Sequence, residues 1–216
     1  MSTDGGRSFS KPKELIKGDN SGGRGPVKNK CIRLKDGRVL APASSELISW
    51  RCFVDISEDD GKSFNRSNYI VRPKVNGLPV GMIQPTLWES DSGVHMLVRT
   101  NKGFIYRSDS KDGIHWCKAY KTDLLNNNSG IDICRAGDGS LILISNPIGV
   151  NWGDRAPITL MRSFDDGATF EEFFKLEDIT GDHEFSYPAI VAQGMRLFIT
   201  YTYERKSVAY WELEIE

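Results

Sequence analysis

Apolar residues in this chain fall in short runs rich in β-branched and aromatic side chains, each closed by a turn signal, and no stretch keeps a helical period. Read in order, the runs group into units of four. The first unit comprises residues 28–34, a turn at Asp36-Gly37, then 38–44, 50–56 and 68–72. The second comprises 82–88, a turn at Asp91–Gly93, 94–100, 104–107 and 117–121. The third comprises 130–135, a turn at Asp138-Gly139, 141–146, 158–162 and 171–176. The last has three runs, 186–192, 196–203 and 208–215, with a turn at Gln193-Gly194. Residues 9–16 predict one further strand ahead of a Gly-rich loop, Gly18 to Gly25. The pattern predicts an all-β chain of four-stranded antiparallel meanders.

A repeated octet marks the register of these units. Residues 163–170 read Ser-Phe-Asp-Asp-Gly-Ala-Thr-Phe, and residues 57–64 and 2–9 keep its Ser, Asp, Gly, hydroxyl and aromatic positions. A looser copy spans 108–116 with one extra residue. The octet glycines stand at 6, 61, 113 and 167, at intervals of 55, 52 and 54. An even period of this size in an all-β chain means stacked blades, so the expected fold is a β-propeller in a single domain over 1–216. An Asp two residues ahead of a Gly builds a turn from its own carboxylate and a left-handed glycine. The octet acids are therefore read as structural.

Composition narrows the partners. The 28 basic and 29 acidic residues leave a net charge of −1, which favours neither nucleic acid nor an anionic membrane. No apolar run has the length of a membrane span and no signal peptide precedes Ser2, so the chain as given reads as cytoplasmic. Cys31, Cys52, Cys117 and Cys134 form no Cys-x-x-Cys pair, so neither a metal nor another cofactor is implied. Cys31, Cys52 and Cys134 lie in apolar strand patterns and read as buried free thiols.

In a meander blade, the loops leading into the inner strands and those linking second to third strands meet at one rim, opposite the octets. That rim collects Lys28, Asn29 and Lys30; Gln84; Asn128 and Ser129; and Tyr187. Glu46, Arg99, Asn146, Tyr203 and Arg205 follow second strands, and Arg155 precedes a third. Convergent guanidinium, amide and hydroxyl groups suit a polyhydroxylated anionic ligand. Wet strand ends give the same polarity for no ligand reason, and the Asn126-Asn127-Asn128 run serves equally as a turn.

The octet resembles the Asp box, or bacterial neuraminidase repeat, and the whole chain is similar to part of a sialidase-superfamily propeller. The motifs at 25–30, 84–86, 126–132 and 186–190 resemble sialidase-like glycosyl hydrolases most closely. The resemblance implies a six-bladed ring that binds an acidic sugar through arginines and attacks it with a Tyr activated by a Glu, with an Asp as acid/base. By position it implies Tyr187 as nucleophile and Arg99 and Arg155 as carboxylate ligands. The position of the activating Glu holds Gln84, with Glu46 or Glu204 as stand-ins from neighbouring blades. The first arginine and the acid/base Asp precede the first Asp box in that family. On this reading about two blades are missing and hydrolysis is weak or absent. The implied function is an exo-acting glycoside hydrolase of sialidase type, incomplete here. A non-catalytic glycan-binding propeller and a propeller lyase or glycosidase acting on uronic acids remain alternatives, and an open blade edge would favour self-association.

Overall fold

The computed structural model describes residues 2–20 and 23–216. It contains β-strands and no helix among the described residues. Four antiparallel sheets follow one another as blades of a β-propeller. Blade one is β1 (Ile32–Arg33), β2 (Val39–Ser45), β3 (Arg51–Ser57) and β4 (Asn65–Arg66). A small hairpin, β5 (Lys74–Val75) with β6 (Leu78–Pro79), leads into blade two. That blade is β7 (Met82–Ser90), β8 (Gly93–Thr100), β9 (Phe104–Ser110) and β10 (Tyr120–Leu125). Blade three is β11 (Asp132–Arg135), β12 (Leu141–Ser145), β13 (Ile158–Ser163) and β14 (Glu171–Glu177). Blade four has three strands, β15 (Phe185–Gln193), β16 (Arg196–Tyr203) and β17 (Ser207–Glu214).

The central strands of blades two and three are apolar at nearly every position because these blades are covered on both faces. Along β8, Val94, Met96 and Val98 pack towards blade one, while Leu97 packs towards blade three. Along β12, Leu141 and Leu143 face blade two and Ile142 and Ile144 face blade four. The pleat thus sends alternate side chains into two different cores. Blade four differs. Leu197, Ile199 and Tyr201 are buried against blade three, whereas Val191, Val208 and Tyr210 on its other face are exposed.

Each octet closes on itself as its sequence demands. In the last copy Ser163 Oγ donates to Asp165 Oδ1 (2.8 Å) and accepts the Gly167 N–H (2.8 Å), while Thr169 donates to Asp165 through N–H (2.9 Å) and hydroxyl (2.5 Å). The copies at 2–9 and 57–64 repeat these bonds. In the loose copy the serine is Ser110, which donates to Asp112 and accepts the Gly113 N–H. That turn is shorter than the others, not longer, and the expected start at Ser108 is two residues early.

Four further expectations need correction. Residues 9–16 form no strand, so no N-terminal strand completes the three-stranded sheet of blade four. The outer strand expected at 68–72 pairs at Asn65–Arg66, after which the chain touches β3 at isolated points, as where Ile70 N–H bonds Cys52 O (2.9 Å). The outer strand expected at 117–121 runs Tyr120–Leu125. All four cysteines are free, and Cys31 is exposed because it lies just ahead of β1, outside the inter-blade core.

At the axis one carboxylate joins all four blades. Asp132, 2% exposed, accepts from Lys30 Nζ of blade one (2.8 Å) and Thr86 Oγ1 of blade two (2.9 Å). It also accepts the N–H groups of Ile133 in its own blade (2.9 Å) and Ile190 in blade four (3.0 Å).

Candidate functional site

The rim opposite the octets is built on a repeated backbone feature. Each blade's inner segment opens on a residue in the left-handed region: Lys28 (φ 70°), Gln84 (54°), Asn128 (65°) and Tyr187 (52°). For a non-glycine residue this costs about 1–2 kcal/mol and persists only where surrounding bonds enforce it. In blades two and four the cause is a β-bulge. Ile83 pairs Arg99 and Thr86 pairs Leu97, so Gln84-Pro85 carries one extra residue; Ser186 pairs Thr202 and Ala189 pairs Thr200, so Tyr187-Pro188 does the same. Proline, lacking an N–H, fits a bulge where the ladder is already broken. The bulge re-aims the residue before it.

These turns bring Gln84, Arg99, Asn128, Tyr187 and Arg155 together. Arg99, at the end of β8, is 2% exposed. Its Nη1 donates to Gln84 Oε1 (2.9 Å) and its Nε to Asn128 Oδ1 (3.1 Å). Both partners are neutral amides, so they orient the guanidinium without cancelling its charge. Burial pulls its pKa below the ordinary value, opposed by interaction with Tyr187 and by the charge of Glu46. The Arg99 guanidinium carbon lies 6.0 Å from the Tyr187 ring centroid, and that of Arg155 lies 5.4 Å from the same ring. Tyr187 is 42% exposed, with both cations near its ring. Arg155 is held from behind by Glu184, Nη1 to Oε1 at 3.0 Å.

The other rim residues are placed differently. Asn29, Ser129 and Asn146 are buried and bonded within the protein. Asn29 Nδ2 donates to the carbonyls of Gln84 (3.1 Å) and Pro85 (2.9 Å), holding the blade-two bulge. Asn146 Nδ2 donates to the carbonyls of Arg155, Pro157 and Phe185, and its Oδ1 accepts from Ser129 (2.6 Å). Lys30 is the axial ion pair with Asp132. Lys28 Nζ donates to the carbonyls of Ile131 (2.8 Å) and Pro188 (2.5 Å), passing beside Gly130, where a Cβ would come within 3.0 Å of the lysine chain. Burial lowers its pKa to about 7. Glu46 accepts from Ser44 Oγ (2.8 Å), and Ser44 Oγ in turn accepts the Gln84 N–H (3.2 Å). Glu204 pairs with His183 (2.8 Å). Tyr203 packs on Phe185 and Arg205 bonds Glu184 (2.6 Å) at the outer margin.

The sequence pattern assigns no role to Glu184, which accepts from Arg155, Arg205 and Ser186. Burial raises its pKa, but the bonds from Arg205 and Ser186 and the charges of Arg155 and Arg205 more than reverse this, leaving it below the ordinary value. Its position three residues before Tyr187 was the available signal. Asn151 and Trp152 were also passed over. Asn151 Oδ1 accepts from Asn128 Nδ2 (3.0 Å), and Trp152, 63% exposed, is tied to the rim by its N–H to Asn127 O (3.1 Å).

The BNR repeat-like domain family model matches residues 1–199. No curated protein matches the chain in sequence. Among solved structures, a protein of unknown function from Dyadobacter fermentans is similar over 100% of this chain and 63% of its own, at 18% identity and a TM-score of 0.75. A mutant of the NanB sialidase from Streptococcus pneumoniae is similar over 85% of this chain and 30% of its own (17% identity, TM-score 0.62). The sialidase of Trypanosoma rangeli is similar over 83% and 29% (16% identity, TM-score 0.60). The chain thus spans under a third of those sialidases, and at these identities the likeness is one of fold.

Proposed function

The chain belongs to the BNR repeat-like domain family, and from that premise we propose that its arginine rim receives the acidic group of a terminal sugar such as sialic acid. The observation that carries this reading is the placement of Arg99 and Arg155 within 6.0 Å and 5.4 Å of one ring, that of Tyr187. Arg99 spends Nε and Nη1 on two amides and Arg155 spends Nη1 on Glu184, so the Nη2 group of each remains for a carboxylate. A neutral phenol beside them is suited to attack an anomeric carbon without repelling the neighbouring carboxylate. In that step the phenolic oxygen bonds the anomeric carbon as the glycosidic C–O bond breaks, and the phenolic proton passes through a base to the leaving oxygen. Water then displaces Tyr187 from the sugar, its proton returning through the base to the phenol.

The step needs a base for the phenolic proton, and Gln84 is not one: its Oε1 is engaged by Arg99. Glu46 is a carboxylate whose charge Arg99 feels, linked to it through Ser44 and Gln84. That arrangement favours binding over turnover, so a non-catalytic glycan-binding role is the second reading. Calorimetry with N-acetylneuraminic acid and hydrolysis of a fluorogenic sialoside separate the two. Binding that is lost in Arg99→Met and kept in Tyr187→Phe supports recognition of the acid. Turnover that disappears in Tyr187→Phe establishes the hydrolase, and failure of acidic sugars to bind refutes both.

A further inference from the structure

Two rim loops carry apolar side chains that the described residues leave uncovered. The loop between β2 and β3 presents Leu47 and Ile48, 79% and 101% exposed; the loop between β12 and β13 presents Val150 and Trp152, each 63% exposed. Trp50 and Trp152 meet edge to face, ring centroids 6.2 Å apart, so the two loops form one lip. The lip is anchored. Trp50 O accepts from Arg72 Nη1 (3.2 Å) and Met82 N–H (3.4 Å), and a Cβ on Gly81 would come within 3.2 Å of the Trp50 ring.

The lip adjoins the cationic site from two sides. Asn151, beside Trp152, accepts from Asn128, which accepts from Arg99. Glu46, beside Leu47, accepts from Ser44, which accepts from Gln84, the other residue holding Arg99. A single exposed apolar side chain needs no explanation, but four on two loops joined through Trp50 and Trp152 mark a contact surface. Asn151 spends its Oδ1 on Asn128, and its neighbours Val150 and Trp152 supply the exposed apolar surface of this loop.

We propose that the ligand is amphiphilic: an acidic sugar whose anionic group is taken by Arg99 and Arg155 and whose aglycone is an alkyl or acyl chain lying on Leu47, Ile48 and Trp152. This rests on the acidic-sugar reading above and adds the class of aglycone. Full burial of one methylene is worth about fourfold in affinity, and an open lip captures part of that for each methylene it covers.

The test uses methyl and octyl 2-thio-α-sialosides, with the corresponding thioglucuronides as a second pair, all below their micelle concentrations. The sulfur linkage resists hydrolysis, so calorimetry reads binding alone. The octyl acid should bind about tenfold or more tightly than the methyl acid. A Leu47→Ser/Ile48→Ser variant should lose that gain while keeping the methyl affinity. Equal binding of the two acids, or a gain that survives in the variant, overturns the lip. Octyl β-D-glucoside binding as tightly as the octyl acids overturns the amphiphile, because the tail alone would suffice. Binding of neither acid pair removes the acidic-sugar reading and this proposal with it. Sedimentation with phosphatidylcholine vesicles lacking any ligand, lost in the variant, would instead make the lip a membrane contact.

Discussion

Replacing Asp132 with Ala should unfasten the ring at its centre. The change removes the acceptor for Thr86 Oγ1 and for the Ile190 N–H, both in buried surroundings, and for Lys30 Nζ. A buried donor left without a partner costs about 1–3 kcal/mol, and breaking a buried ion pair from one side costs about 3–5 kcal/mol. Lys30 keeps 34% of its side chain exposed, so water compensates part of the ionic loss. The expected total is therefore about 3–5 kcal/mol, or a fall in Tm of about 6–20 °C for a chain of this size. Urea unfolding followed by tryptophan fluorescence should show a lower midpoint at an unchanged slope. Thr86→Val removes one donor and leaves the carboxylate its other partners, so it should cost only about 1 kcal/mol. In a double-mutant cycle the Thr86 and Asp132 changes should be non-additive. An Asp132→Ala cost below about 1 kcal/mol, or additive effects, would refute a four-blade hub.

Two further outcomes concern the octets. Gly61 and Gly167 share a left-handed φ (82° and 79°), but a Cβ on Gly61 meets nothing nearer than 3.9 Å while one on Gly167 lies 2.8 Å from the Trp88 ring. Gly61→Ala should cost about 1 kcal/mol from backbone strain and Gly167→Ala about 2–4 kcal/mol with the overpacking added; equal costs in denaturation would refute the packing argument. The Asp59 and Asp165 carboxyls are held at about 2, first by the side-chain bonds from Ser63 and Thr169 respectively. Because these values lie below the ordinary carboxylate value, the stability they confer is complete above about pH 4 and is lost as pH falls through about 2. The destabilisation by Asp165→Asn, measured by urea unfolding, should shrink between pH 5 and pH 2. A difference that stays constant over that range would contradict it.

The propeller is legible in the sequence because its ruler is local. Every bond that closes an octet joins residues no more than four apart, so the turn is written in the residues that make it. Residues 9–16 show the limit: an extended pattern becomes a strand only beside another strand, and Lys11-Pro12-Lys13 finds none. The same limit governs the rim. Asn29 and Asn146 stand at ligand-facing positions by register, yet their amides turn inward because the bulge and loop carbonyls of other segments need donors, and no local pattern declares that need. Asp132 stands as a carboxylate between Ile131 and Ile133, but three of its four partners come from segments 46 to 102 residues away.

The repeated left-handed turn explains why the rim can change chemistry without changing fold. Gln84 and Tyr187 sit at equivalent points of equivalent bulges, each followed by proline and each directed at Arg99. The bulge is held from outside the residue that occupies it, by Asn29 on the carbonyls of Gln84 and Pro85 and by Lys28 on the carbonyl of Pro188. The side chain at that point is consequently free to be a base, an amide or a phenol at little cost to the backbone. Gln84 is such a choice. It fastens Arg99 through a neutral bond, which leaves the guanidinium's charge available to a ligand and gives the phenol of Tyr187 no proton acceptor from that position.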